Sequence, residues 1–279
     1  MPRSLLWPDP RVKPPFGAAE IDWGHPLTDK LLALLLLNEN GGPFRDLVRP
    51  RQTVFGTAPF WQPNAEGIGV QYPGTATASS FTIDLSGFSK ISLEMIFSWN
   101  SFANDDKLAA EYTADANNVN AFLIDPNSGA PDLGLFQVNV SSSSSTNNGG
   151  GFARPSAGTA HRYLFTLDRT VPGGTLATGA YVDGIAQTIT AHATSAPVGN
   201  FVNSTLYLFA RNQTSLLGVG NLTKLAIYNQ ILSSAEAFRL SAEPYASLRP
   251  IVRRRYFVPS ADIINPYNPW LHRGPVLAQ

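Results

Sequence analysis

Polar and apolar residues alternate with a period of two in several stretches of the chain. In the run 91–99, Ile91, Leu93, Met95, Phe97 and Trp99 share one face, with Ser92, Glu94, Ile96 and Ser98 opposite. That pattern predicts a strand whose first face enters a core between two sheets. Leu206, Leu208 and Ala210 alternate with Tyr207, Phe209 and Arg211; Leu222, Lys224, Ala226 and Tyr228 alternate with Thr223, Leu225 and Ile227. Apolar residues occur on both faces, so these strands are expected to be covered on both sides. Shorter strands are expected at 53–55, 68–71, 81–84, 107–112, 120–124, 133–140 and 161–168. Segments 180–182 and 186–190 should pair across Asp183-Gly184, a favoured two-residue turn. The tract SSSSSTNNGGG (141–151) reads as a flexible hairpin tip. After Leu232 the period changes. Ser233 and Glu236 form a capping-box signature, and the helix it opens should stop before Pro244. The run LLALLLL (31–37) reads as helix by propensity, yet 38–42 supplies a turn immediately after it. Seven residues cannot span a bilayer, which needs ~20.

The ends differ from the middle. Residues 1–24 hold Pro2, Pro8, Pro10, Pro14 and Pro15 together with Trp7, Phe16 and Trp23. Such a segment forms little helix or central strand, and its aromatic content predicts an arm that docks on something. Residues 25–244 form the expected sandwich. Residues 245–279 form an expected docking tail in which Arg249, Arg253, Arg254 and Arg255 interleave with Tyr256, Phe257, Tyr267 and Trp270. A strand is expected to begin it at 252–258.

Gly220, Leu222, Leu225, Ile227, Tyr228, Asn229, Leu232, Ser233 and Glu236 follow the spacing of a known family. They resemble the last strand and closing helix of laminin-G-like, concanavalin-A-like jelly rolls, with Thr223 where an acidic residue often sits. The segment AYVDG, ending at Gly184, is similar to a hairpin of the same domains. The resemblance covers about residues 25–243. It implies an all-β, two-sheet antiparallel jelly-roll sandwich with one short C-terminal helix, and makes 31–37 the first buried strand. Of function it implies little, because lectins, hydrolases and inert structural modules share the fold. The Arg-rich tail after such a domain resembles structural proteins of tailed bacteriophages and prophages.

Charge is sparse at 14%, with 20 basic and 20 acidic residues. A neutral chain exerts no global pull on nucleic acid or anionic membrane, and neither partner is expected. There is no cysteine, so thiol chemistry is excluded. No secretion signal is read in MPRSLLWPDPRVKPP.

Paired carboxylates on one strand, as in jelly-roll glycosidases, are not found around Glu20, Glu39, Glu66, Glu94, Glu111, Glu236 or Glu243. His25, His161, His192 and His272 show no metal-ligand spacing. His25 reads as a surface turn residue. No Gly-x-Ser-x-Gly elbow is present. Asn104, Asp105 and Asp106, then Asp115, Asn117 and Asn118, are the best oxygen clusters for calcium, with solvated loops as the simpler reading. Trp61, Tyr72 and Tyr112 are candidates for a glycan platform.

No catalysis, metal or cofactor is therefore expected. The expectation is a virion structural protein, made in the host bacterial cytoplasm and present in several copies or as a homo-oligomer. Trp7, Arg253, Arg254, Arg255, Tyr256, Phe257, Tyr267 and Trp270 would dock on other virion proteins, since Arg and aromatics dominate interface hot spots. The alternatives are a glycan-binding adsorption module and a polysaccharide depolymerase.

Overall fold

The computed structural model describes residues 9–49, 54–55, 60–75, 79–100, 107–113, 120–128, 134–143 and 146–251. Its strands are β1 (Ala19–Ile21), β2 (Leu31–Leu35), β3 (Val54–Phe55), β4 (Phe60–Asn64), β5 (Gly67–Pro73), β6 (Ser79–Asp84), β7 (Lys90–Trp99), β8 (Ala110–Tyr112), β9 (Phe122–Asp125), β10 (Phe136–Ser143), β11 (Thr146–Phe152) and β12 (His161–Asp168). They continue with β13 (Thr178–Val182), β14 (Ile185–Ala186), β15 (Thr190–Thr194), β16 (Asn203–Leu208), β17 (Val219–Tyr228) and, after helix α1 (Ser234–Ala242), β18 (Leu248–Pro250).

Two antiparallel sheets make the sandwich. One runs β15-β11-β10-β9-β8-β16-β6-β3; the other runs β14-β13-β12-β7-β17-β5-β4, with β2 also on β17. The alternation of β7 sorts as expected: Ile91, Leu93, Met95, Phe97 and Trp99 enter the core between the sheets. Rings knit that core, with Phe97 stacked on Tyr163 at 4.4 Å and Phe136 on Phe152 at 4.8 Å between centroids.

The opposite face of β7, β12 and β17 is also buried. Ile96, Leu164, Ala226 and Tyr228 pack beneath α1 with Leu232, Ala237 and Leu240, and with Tyr245 and Leu248. The capping box is present: the Ser233 side chain accepts from the Glu236 N–H, and Glu236 accepts from the Ser233 N–H. The helix ends at Ala242, before Pro244.

Several expectations are corrected. The tract 141–151 does hold a hairpin, but 146–151 is not part of a loose tip, because Thr146–Phe152 is a strand inside the sheet, paired with both β10 and β15; residues 144–145 lie outside the described residues. Its glycines suit close backbone approach: a Cβ on Gly150 would lie 2.1 Å from the Thr190 carbonyl oxygen. The hairpin across Asp183-Gly184 forms, but its return strand is only Ile185–Ala186. The chain then crosses to the other sheet as Thr190–Thr194.

Residues 9–24 of the expected arm lie on the sandwich. Ala19–Ile21 pairs with Leu248–Pro250, and the Tyr245 N–H donates to the Pro10 carbonyl. Leu31–Leu35 is a strand, as the family likeness implied and helix propensity did not. Residues 1–8 and 252–279 lie outside the described residues, and with them the expected strand at 252–258.

Candidate binding groove

The N-terminal segment builds a groove against the sandwich edge. Pro14 and Pro15 hold the chain extended, and Gly17 turns it at φ +69° into β1. The Asn38 amide donates to the Pro14 carbonyl at 2.8 Å. The Lys13 ammonium donates to the carbonyls of Leu37, Ile68 and Thr223, three acceptors for its three protons. Burial pushes Lys13 down to about 7, while Glu39 and Glu66 oppose that shift. Segment 15–23 thus becomes one wall of a cavity of about 390 Å³, facing Leu36, Asn38, Glu39, Arg45 and Leu47, with Arg249 and Ile251 from the other end of the chain. A second cavity of about 280 Å³ shares Pro15, Phe16, Asn38 and Glu39 with it.

Phe16 and Trp23 are 51% and 57% exposed at this groove. Both rings line the same cavity, which sets them apart from singly exposed apolar side chains. The Arg45 guanidinium sits 6.0 Å from the Phe16 centroid, and Glu20 pairs with Arg249 at 2.9 Å. Glu39 accepts the Arg45 backbone N–H through Oε1 at 2.9 Å. Its Oε2 is sealed from solvent without a hydrogen-bond partner. An acceptor in that state carries an uncompensated desolvation cost, which a donor reaching it on rotation of the carboxylate would relieve. The groove therefore combines apolar ring faces, one unspent acceptor and guanidinium donors, which is the chemistry for holding a polyhydroxylated ring.

Three other glutamates are engaged. Glu94 meets Lys224 and Tyr228 beneath α1, Glu111 pairs with Arg211, and Glu66 pairs with Arg162. Among the described residues, no group of three or more His, Asp or Glu could hold a metal ion.

The sequence-derived candidates fare unevenly. Trp7, Arg253, Arg254, Arg255, Tyr256, Phe257, Tyr267, Trp270 and His272 lie outside the described residues, as do both oxygen clusters, 104–106 and 115–118. Tyr72 and Tyr112 are not a platform, since both are fully buried. Tyr72 stacks on Phe209 at 4.3 Å, and the Tyr112 hydroxyl donates to the Ile83 carbonyl at 2.7 Å. Trp61 is half-buried and meets Phe44 edge-on. His25 is not a surface residue either. It is 9% exposed, caps a short turn of helix through Nδ1, and meets Arg239 through Nε2 at 3.0 Å. His192 lies within β15. Phe16 and Trp23 were legible as aromatics in a proline-rich stretch. Glu39 and Arg45 carried no local signal, and Arg249, read as part of the tail, could not be placed beside Glu20 because the β1–β18 pairing joins segments about 230 residues apart.

No family model matches the chain, and no curated protein does. Solved structures share its fold at low identity. The binding domain of Paraclostridial Mosquitocidal Protein 1 superposes with a TM-score of 0.59 at 11% identity, over 77% of this chain and 52% of that one. Trypanosoma rangeli sialidase gives 0.54 at 12%, over 77% and 33%. Domain 4 of AbnA, a GH43 extracellular arabinanase from Geobacillus stearothermophilus solved with arabinotriose, gives 0.52 at 15%, over 76% and 98%. The chain thus spans about a third of the sialidase and about half of the toxin domain. What these likenesses establish is the two-sheet β-sandwich.

Proposed function

We propose that the protein is a recognition module that holds a glycan in the groove between Phe16 and Trp23. The observation that carries this reading is the pair of half-open rings beside the unpartnered Glu39 oxygen. A sugar ring would lay its C–H face on the indole and give a hydroxyl to Glu39. Binding domains and an arabinotriose complex among proteins of this fold support the reading.

A glycan array probed with the full chain tests it, with Trp23→Ala and Glu39→Gln as controls. Covering about 60 Å² of indole at ~25 cal/mol/Å² gives about 1.5 kcal/mol, so Trp23→Ala should weaken binding roughly tenfold. No binding at millimolar sugar, or binding indifferent to both variants, would overturn the assignment.

A second reading, of a virion structural protein, is supported by the Arg-aromatic composition of 253–270, which continues from Ile251 at the groove wall. On this reading the tail and Trp7 fasten several copies of the chain to neighbouring virion proteins, and the sandwich is displayed. Deleting residues 252–279 should leave a folded sandwich that no longer enters particles; normal incorporation of the truncated chain would refute it.

A further inference from the structure

On the far side of β12, three side chains line up in the order nucleophile, base, orienter. His161 opens β12, and Asp183 begins the two-residue turn after β13; the register Tyr163↔Val182 sets them side by side. The Asp183 carboxylate is held in place, its Oδ1 accepting the Arg162 N–H at 2.9 Å while the Asp183 N–H donates to the Arg162 carbonyl at 2.8 Å. Oδ2 lies 2.7 Å from His161 Nδ1. A carboxylate at that distance orients the ring and, in neutral imidazole, selects the tautomer with the proton on Nδ1 and a lone pair on Nε2. That lone pair faces the Ser156 Oγ at 3.4 Å, a loose but usable separation for a site without substrate. The loop carrying Ser156 is pinned by the Gly158 N–H, which donates to the Trp99 carbonyl at 2.7 Å. A lock on the hairpin would need only His161 and Asp183; Ser156 adds nothing to it.

We propose that Ser156 is a nucleophile activated by His161, with Asp183 as positioning residue, and that it accepts acyl groups from activated esters. The Oγ–acyl carbon bond forms as the Oγ proton passes to Nε2. The bond to the leaving oxygen then breaks, and that oxygen takes the proton from Nε2. Water repeats the sequence in reverse, losing a proton to Nε2, displacing Oγ and freeing the acid. Pro155 has no N–H, and the Gly158 N–H is already committed to Trp99, so neither of these two residues supplies an oxyanion donor. Loss of one such donor lowers rates by ~10²–10³. That restricts the substrate class to esters with good leaving groups. The side chains of His161 and Asp183 are 16% and 44% exposed, so acyl groups on large molecules can reach the site.

The test is labelling of the full chain with a fluorophosphonate probe, mapped by mass spectrometry, alongside p-nitrophenyl acetate hydrolysis. Ser156 should label faster than any other serine and much faster than in the urea-unfolded chain. Ser156→Ala should abolish the label. His161→Gln should slow labelling by ~10²-fold or more, and Asp183→Asn by about tenfold or more. Labelling of native Ser156 no faster than in the unfolded chain, or labelling unchanged in a folded His161→Gln variant, would overturn the proposal.

Discussion

Replacing Glu94 by Gln should cost about 3–5 kcal/mol, because it strands a buried cation while hardly changing shape. Glu94 on β7 and Lys224 on β17 face each other beneath α1 with side chains 3% and 1% exposed. The Lys224 Nζ lies 2.5 Å from Oε1 and also donates to the Pro244 carbonyl at 2.6 Å. The Tyr228 hydroxyl donates to Oε2 at 2.9 Å, and burial, reinforced by the Glu94 charge, holds that phenol well above its ordinary range. Each buried ion costs several kcal/mol to desolvate, and only its partner offsets this. The triple variant Glu94→Leu/Lys224→Met/Tyr228→Phe removes both charges and the phenol together. It leaves the Pro244 carbonyl short of a donor, worth about 1–3 kcal/mol. The single change should therefore be worse than the triple one. Urea unfolding of the full chain, read from midpoints at unchanged slope, measures both. At ~2–4 °C per kcal/mol, Glu94→Gln should melt about 6–20 °C lower. A single variant within 1 kcal/mol of the parent, or a triple variant less stable than the single, would refute the reasoning.

Burial, then the Arg239 guanidinium, hold the His25 pKa below 6.5. The folded state thus favours neutral imidazole, and this stability is full above pH 6.5 and is lost as pH falls through the depressed folded value. Urea midpoints between pH 7.5 and 4.5 should fall less steeply for His25→Asn, which keeps a capping side chain; equal slopes would count against it. Gly150→Ala should cost about 1–3 kcal/mol from overpacking against Thr190. Gly87→Ala, where a new Cβ meets nothing within 4 Å, should leave the melting temperature nearly unchanged. Ser233→Ala removes the cap of α1 and should cost about 1 kcal/mol by thermal melting, whereas Ser233→Asp should retain most of it.

The strands that a reader of the sequence finds most easily are those where alternation runs unbroken, and β7 is the clearest. The misplaced side chains sit where the backbone interrupts the period. In β17 the ladder with β7 shifts between Leu222 and Lys224, so Leu222 enters the inter-sheet core with Leu225 and Ile227 although strict parity sets it opposite them. A bulge reverses which face follows it, and no residue type announces one. Phe209 is a second case. Parity gives it the face of Tyr207, yet its backbone at φ +55° ends β16 and turns the ring into the core against Tyr72. The glycine run in β11 failed for a related reason. Composition reports what glycine permits, whereas the sheet uses what it lacks: a Cβ that would collide with the Thr190 and Val138 carbonyls of flanking strands. The groove was hidden by distance instead. Phe16 and Trp23 are visible as aromatics, but they become a wall only once Ala19–Ile21 has paired with Leu248–Pro250 and Lys13 has found carbonyls on three separate segments. Local periodicity therefore carries the layers of this fold, and its chemistry lies in contacts made after the layers have formed. Side-chain pairs such as His161–Asp183, separated by a whole hairpin, belong to that second class.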